Sequence, residues 1–480
     1  MVKAKSAVKS VKHKNYRIFN MDCIKLMKGM ARKGMQVDSI VSDSPYNLAS
    51  VVKRFGGKNA APAKFGKDGA FSRASAGFMG KTWDSDVAFQ AETWAAAYEI
   101  LKPGGHMLVF GGTRTYHRLV CAIEDAGFEI RDSLMWLYGS GMPHSHNVSM
   151  AIDKAVRGVP HGGKDPTSPN HGNFRRSKAE DGYSAGPGVY MKVQGKANAR
   201  SALVPEAQPY IGWGTALKPA TEIICLARKP LSEKTIVANV LKHGTGAINI
   251  DACRVGTTKR VPSSLSKTPN TVYGKYNLQN GSESGHNPNI GRWPANVITD
   301  GSDEVISSFP EKSSVTGKRS SKSKNNKVSG TNWLPDNHKS VEHTDSGSPA
   351  RFFYSAKSGK KDRNFGLPDG TRNPHPTVKP LALMTYLIKL ITPVGGTTFD
   401  PFMGSGSTGI AAIQSGFKFV GSDLTEEYFD ISAKRIAYAA GIENNEDRIK
   451  TKEITFLDEP ENFISPKDWT KRGLKNQSKG

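Results

Sequence analysis

Gly396-Thr397-Thr398-Phe399-Asp400-Pro401-Phe402-Met403-Gly404-Ser405-Gly406-Ser407-Thr408-Gly409 opens a helix through Ala411, Ala412 and Ile413, and Lys418-Phe419-Val420-Gly421-Ser422 then leads to Asp423. The text predicts a strand, a tight glycine turn, a helix, and a second strand that ends in an acid. Glycines let a cofactor approach the backbone, and an acid at the end of the second strand can hydrogen-bond ribose hydroxyls. Gly404 to Gly409 also satisfies G-x-G-x-x-G, a pattern that alone is weak. No lysine precedes Ser407-Thr408, which argues against a phosphate-cradling loop. A turn serving packing alone would not explain Asp400 and Asp423 together. A pyrophosphate wants bare amides at a helix N-terminus. Asp400, beside the loop, suits a cationic ammonium instead.

Outward from this stretch the text alternates. Strands are predicted at Val37 to Val41, His106 to Phe110, Phe128 to Leu137 and Ala220 to Arg228, with helices at Thr93 to Leu101 and Tyr116 to Ala126. This is the pattern of a mainly parallel α/β sheet. Two polar, Gly/Pro/Asn-rich stretches without periodicity split it. The boundaries read as a basic disordered arm at 1–14, a first half of the core at 15–145, a polar insertion at 146–209 and a core strand at 210–230. A second irregular region follows at 231–371, then the other half of the core at 372–441 and a polar basic tail at 442–480.

A chain of 480 residues allows about three domains. Gly (49) and Pro (27) are abundant, which predicts long loops around an ordinary core. No apolar run is long enough for a membrane span, and Met1-Val2-Lys3-Ala4-Lys5 leads into no apolar segment of a secretory signal. Cys23, Cys121, Cys225 and Cys253 form no CxxC pair, which argues against disulfides or a cysteine metal site and for a reducing cytoplasm. The charge of +24 favours a polyanionic partner, because each neutralised phosphate releases counterions.

Two further segments carry chemistry. Asp43-Ser44-Pro45-Tyr46 ends a predicted strand, where α/β sheets place their ligands. His375-Pro376-Thr377-Val378-Lys379-Pro380 precedes a helix from Leu381 to Ile391, with Pro380 suited to its first turn. Asp400-Pro401-Phe402-Met403-Gly404-Ser405-Gly406 resembles the cofactor loop of amino-group DNA methyltransferases, and Asp43-Ser44-Pro45-Tyr46 looks like their catalytic Asp-Pro-Pro-Tyr. With His375 to Pro380, the three motifs resemble the β-class enzymes, in which the catalytic motif comes first, then a target-recognition region, then the cofactor half. Tyr138-Gly139-Ser140-Gly141 and Gly291-Arg292-Trp293-Pro294 look like phage and prophage members. The resemblance covers about 16–145, 210–230 and 372–440.

It implies a Rossmann-like methyltransferase fold with a mixed seven-stranded sheet in permuted strand order, the 15–145 half catalytic, the 372–441 half binding S-adenosyl-L-methionine, and 231–371 reading the target. Asp22, at the end of an opening strand from Tyr16, is implied near the cofactor's adenine, and Thr377 and Lys379 near its methionine end. With Asp400, Phe402, Gly404, Ser405, Gly406, Thr408 and Asp423 these make up the expected cofactor set. Arg131 to Trp136 and Lys218 to Glu222 look like later core strands.

The tetrapeptide suits methylation of an exocyclic amine. The lone pair of that nitrogen is delocalised into the ring, so it is a poor nucleophile. Acceptors placed on its hydrogens, the Asp43 side chain and the Ser44 carbonyl, pull it toward tetrahedral geometry. Pro45 stiffens the turn and Tyr46 offers a face for an extruded base. Ser44 departs from the family's proline, but only its carbonyl is needed. No metal is called for, since the sulfonium is already a good leaving group and alignment supplies much of the acceleration.

Lys53, Arg54, Lys58 and Lys81, in a basic loop after the tetrapeptide, and Arg292 are the candidate DNA contacts. Trp83 and Trp136 read as core rather than base-stacking. Asp at the first position of the tetrapeptide points to adenine N6 in double-stranded DNA, with cytosine N4 the nearest alternative. RNA methyltransferases usually place the cofactor loop first. A nicotinamide-dependent oxidoreductase leaves the charge and Asp43 to Tyr46 unexplained, and a non-catalytic DNA-binding protein would have to bind DNA normally as Asp43→Ala. A homodimer and a separate restriction endonuclease both stay open as partners.

Overall fold

The computed structural model describes residues 8–46, 86–141, 143, 145–159, 204–256, 291–310, 312–315, 344–356, 359–368, 370–442 and 451–452. In chain order the elements are β1 (Val8–Lys12), β2 (Tyr16–Asn20), α1 (Cys23–Arg32), β3 (Val37–Asp43), α2 (Ala91–Ile100), β4 (Leu101–Gly111), α3 (Tyr116–Asp125) and β5 (Glu129–Leu137). Then come α4 (Val148–Val156), β6 (Thr221–Arg228), α5 (Ile236–His243), β7 (Val297–Thr299), α6 (Asp303–Ile306), a hairpin of β8 (Lys312–Val315) and β9 (Thr344–Gly347), and β10 (Tyr354–Ser355). The last are α7 (Lys360–Asn364), α8 (Leu381–Ile391), β11 (Thr397–Asp400), α9 (Ser407–Gln414), β12 (Lys418–Asp423), α10 (Glu426–Ala439) and β13 (Thr451–Lys452).

The strand order is β10-β7-β5-β6-β4-β3-β11-β12-β2-β1-β13. From β4 to β2 the neighbours are all parallel, β6 runs antiparallel to both β4 and β5, and β1 runs antiparallel to β2. The order is permuted as expected, since β11 and β12 from late in the chain lie between β2 and β3 from early in it. The seven strands expected are the contiguous run β5-β6-β4-β3-β11-β12-β2. The sheet is larger than expected, however, because β7 and β10 extend one side and β1 and β13 the other. β7 and β10 come from the 231–371 region, which therefore contributes strands to the core sheet.

Side chains alternate between the two faces of the sheet, as the pleat requires. Val41, Leu108 and Phe110 join a core with α8, α9 and α10, whereas Ile40, Met107 and Val109 join another with α1, α2 and α3. Both faces of the sheet are thus covered, which is why β3 and β11 read as continuous buried runs. Trp136 is buried in the first of these cores, as expected. Trp83 lies outside the described residues.

The reading of 1–14 as a disordered arm is corrected at Val8–Lys12. Val11 is buried, and Lys9 pairs with Glu426 in the first turn of α10 and lies 3.9 Å from Asp430. Lys9 and Lys12 are its charged positions, yet the strand pairs on both sides, with β2 and with β13. The 442–480 tail likewise includes β13, paired with β1.

By its internal contacts the segment Ser140–Ala220 forms its own compact unit, longer at both ends than the insertion read as 146–209. Within it, Asn147 caps α4 by accepting from the Met150 amide, and buried Asp153 pairs with Arg157 at 2.7 Å and accepts from the Val204 amide. No described helix is long and apolar enough to cross a membrane.

Candidate active site

The chain runs from β3 through α2 to β4 on one side, and from β11 through α9 to β12 on the other. β3 and β11 are neighbours, so the strand order reverses between them. At such a switch point the loops leaving the strands diverge and open a crevice for a ligand. Asp43 ends β3 and Asp400 ends β11, so two of the three sequence motifs meet there. The Ser42 hydroxyl donates to Asp400 Oδ1 at 2.5 Å and ties the two strand ends together.

Asp43 to Tyr46 are anchored from both sides. The Ser44 hydroxyl donates to the Phe110 carbonyl at 2.8 Å, and the Thr115 hydroxyl donates to the Tyr46 carbonyl at 2.9 Å. Ser44 thus makes a buried bond that the family's proline could not. Lys379 Nζ lies 2.7 Å from Asp43 Oδ2 and 3.1 Å from Glu222 Oε2. The Tyr46 hydroxyl lies 2.9 Å from Asp43 Oδ1 and 2.9 Å from Glu222 Oε2. Burial works to lower the Lys379 pKa, but Asp43 and Glu222 outweigh it and hold the ammonium charged beyond the ordinary lysine range. Burial, then these two carboxylates, push the Tyr46 phenol up, so it stays protonated. The structure therefore places Lys379 on Asp43, whereas the resemblance implied a cofactor contact. Thr377, two residues upstream, is exposed.

The glycine loop is held from below. Asp400 is buried and also accepts from the Thr408 hydroxyl at 2.6 Å and the Phe402 amide at 3.0 Å. Burial raises its pKa to about 7 against the pull of these donors. Thr408, expected on the cofactor, has its hydroxyl turned onto Asp400. Ser405 is turned inward as well, since Arg435 Nη1 donates to its carbonyl at 2.5 Å and to its hydroxyl at 2.9 Å. Gly404 and Gly406 have φ of +51° and +84°, a conformation costly for other residues. A Cβ on Gly404 would stand 2.8 Å from His375 Nε2, so the His375 segment closes on the loop.

Asp423 Oδ2 accepts from the Gly404 amide at 2.9 Å and Oδ1 from the Thr425 amide at 2.8 Å, and burial raises this acid to about 6. Each oxygen keeps a second lone pair for a ribose hydroxyl. Asn20 is the register partner of Asp423, and Asp22 caps α1 by accepting from the Lys25 amide. The carboxyl ends of β2, β12 and β11 thus carry acids, and residues 400–409 contain no lysine or arginine. This donor set fits a nucleoside with a cationic end and suits a pyrophosphate poorly.

Of the candidate DNA contacts, Lys53, Arg54, Lys58 and Lys81 lie outside the described residues. Arg292 pairs by its backbone with Val255 and stacks its guanidinium on Phe352 at 4.2 Å. Among the described residues no group of three or more His, Cys, Asp or Glu could hold a metal ion.

Sequence reasoning missed Glu222 and Arg435. Glu222 is the one acid of the strand Thr221–Arg228 and precedes its apolar run from Ile223 to Ala227, which was the available signal. Arg435 shares a helix face with buried Tyr428 and Ser432, and an arginine on such a stripe asks for internal partners. Besides Ser405 it donates to the Asp362 and Phe365 carbonyls.

A doubly wound sheet with an acidic glycine loop facing an acidic turn across its switch point is the frame of a nucleoside-cofactor-dependent transferase. Residues 37–178 and 189–434 match the DNA methylase family, and the chain belongs to it, among the N6/N4 amino-methyltransferases. Members use S-adenosylmethionine, and the donor set above fits that cofactor. The chain is 44% identical over 62 residues to the type II methyltransferase M2.DpnII of Streptococcus pneumoniae, which is 13% of this chain and 23% of that one. It is 41% identical over 66 residues to the DNA adenine methyltransferase YhdJ of Escherichia coli K12, 14% of this chain and 22% of that one. Less than a third of the length of these curated relatives is therefore spanned. Among solved structures, the PvuII cytosine-N4-specific DNA methyltransferase is similar at 12% identity, with 90% of each chain covered and a TM-score of 0.36, too low to bear on the fold.

Proposed function

We propose that this chain transfers a methyl group from S-adenosylmethionine to adenine N6 of a base extruded from double-stranded DNA. The observation that carries it is the meeting of the Asp43 turn and the Asp400 loop across the switch point, bridged by Ser42. When bound, the cofactor supplies an electrophilic methyl on a sulfonium that leaves with its electron pair. Asp43 accepts one amine hydrogen and the Ser44 carbonyl the other, which localises the nitrogen lone pair. The nitrogen gains the methyl and gives one proton to water. Asp423 orients the ribose, and the Asp400 carboxylate with Thr408 holds the loop in shape. Asp at position 43 supports adenine, where the cytosine-type enzymes usually have serine. The excess of positive charge supports DNA as the polyanion.

The test is methyl transfer to unmethylated genomic DNA, with nucleoside digestion and mass spectrometry. N6-methyladenine is expected, N4-methylcytosine would overturn the choice of base, and no methylated nucleoside would overturn the activity on DNA. D43A is expected to abolish transfer and leave cofactor binding intact, whereas D423A mainly weakens the cofactor. Equal loss of both functions in either variant would refute that division.

A further inference from the structure

Asp43 already carries one donor on each oxygen, so a target amine must share its charge with them. Its Oδ1 accepts from Tyr46 and its Oδ2 from Lys379, yet methyl transfer as proposed above needs it to accept from the target amine. Glu222 relieves this competition. The Tyr46 hydroxyl has one proton and two acceptors at the same 2.9 Å, Asp43 Oδ1 and Glu222 Oε2. Rotation about the phenolic C–O bond moves that proton from one acceptor to the other with no heavy atom displaced. Lys379 already touches both carboxylates, so its charge can rest on Glu222 while Asp43 turns.

We infer that Glu222 is a positioning residue for methyl transfer, the second carboxylate onto which Tyr46 and Lys379 settle when Asp43 takes up the amine hydrogen. The inference rests on the functional reading above and concerns a residue that does not itself touch the base. Without Glu222, Tyr46 keeps its proton on Asp43. The whole Lys379 charge then falls on that carboxylate and makes it a poorer acceptor toward an amine. Glu222 is well placed for this role. It is the second residue of β6, the strand antiparallel to β4, stands in register with Trp136, and its side chain is only 20% exposed.

The experiment compares wild type, Glu222→Gln, Tyr46→Phe and the double variant in single-turnover methyl transfer to unmethylated DNA, with cofactor binding measured on the same preparations. Glu222→Gln is expected to slow transfer by about tenfold to a hundredfold, with the cofactor dissociation constant and half-saturating DNA within about threefold of wild type. In the Tyr46→Phe background the same substitution is expected to cost much less, because no hydroxyl then competes for Asp43. If Glu222→Gln does not fold, Glu222→Asp keeps the charge one methylene away and is expected to slow transfer with cofactor binding unchanged. Transfer at the wild-type rate in Glu222→Gln, or equal and additive losses in both backgrounds, would overturn the inference alone. A wild-type protein that transfers no methyl group to DNA would overturn the functional reading, and this inference with it.

Discussion

Replacing Lys379 by methionine keeps most of the stem and removes the charge between Asp43 and Glu222. At an effective dielectric of about 20, unit charges at the two observed separations attract by about 5 to 6 kcal/mol each, offset by several kcal/mol for desolvating the ammonium. Because Lys379 is 8% exposed and its partners 21% and 20%, water screens the cluster little. Removing one member of such a buried set is expected to cost about 3 to 5 kcal/mol. The cost has a sign in pH. Two carboxylates left facing each other raise the proton affinity of one of them. A raised acid contributes stability at low pH that is lost as pH rises through its folded value. The deficit of K379M should therefore shrink as pH falls toward the ordinary carboxylate range and be largest at neutral and alkaline pH. Urea denaturation followed by tryptophan fluorescence, run at an acidic and a neutral pH, measures both quantities. A loss below about 1 kcal/mol, or a deficit equal at the two values, would show that this ion cluster does not hold the site together.

Further outcomes follow from the same geometry. Ser44→Pro removes the buried bond to the Phe110 carbonyl but restrains the unfolded chain, so a net loss near 1 kcal/mol is expected in thermal melts, with transfer retained; abolished transfer would show that the serine hydroxyl has a chemical role. Gly406→Ala forces a left-handed alanine costing about 1 to 2 kcal/mol, and its Cβ would stand 3.0 Å from Ser432 Cβ, so cofactor affinity should fall before DNA affinity does. Asp400 and Asp423 are raised to about 7 and about 6, so the native state holds protons that the unfolded chain releases. Their contribution to the stability of the ligand-free protein should decline from about pH 4 to about pH 7. Asp423→Asn should flatten the part of the melting profile below pH 6, and an unchanged profile would refute the assignment.

The fold was legible where periodicity was strong. Helix 381–391 and the strands ending at Asp43, Asp400 and Asp423 are apolar runs closed by proline, glycine or acid, and local chemistry suffices to place them. The outer strands were not. Val8–Lys12 carries two lysines in five residues, and only pairing with β2 and the acidic first turn of α10 makes it a strand. β7 and β10 are three and two residues long, too short for a period to register. At the site, the motifs located Asp43 and the glycine loop because their spacing is local. The partners of Asp43 were illegible for the opposite reason: Lys379 and Glu222 stand far away in sequence, and only sheet order brings them together.

That distance has a consequence for how the site works. Asp43 belongs to β3, Glu222 to β6 and Lys379 to the segment before α8, so the Asp43 carboxylate is fixed by three separate parts of the core. The cofactor loop joins the same frame through Ser42 on Asp400 and through Arg435, which binds Ser405 from behind and also the Asp362 and Phe365 carbonyls. Asp362 in turn accepts from the Leu381 amide at 3.2 Å, at the start of α8 and two residues after Lys379. A path of hydrogen bonds, joined through Asp362 and the short stretch from Leu381 back to Lys379, therefore runs from the glycine loop to the lysine paired with Asp43. On the proposed function, this network would hold cofactor and base in alignment, as a displacement reaction requires. Arg435→Met should accordingly impair both cofactor binding and transfer, whereas E222Q impairs transfer alone, and a variant of Arg435 that lost only one of the two would break that link.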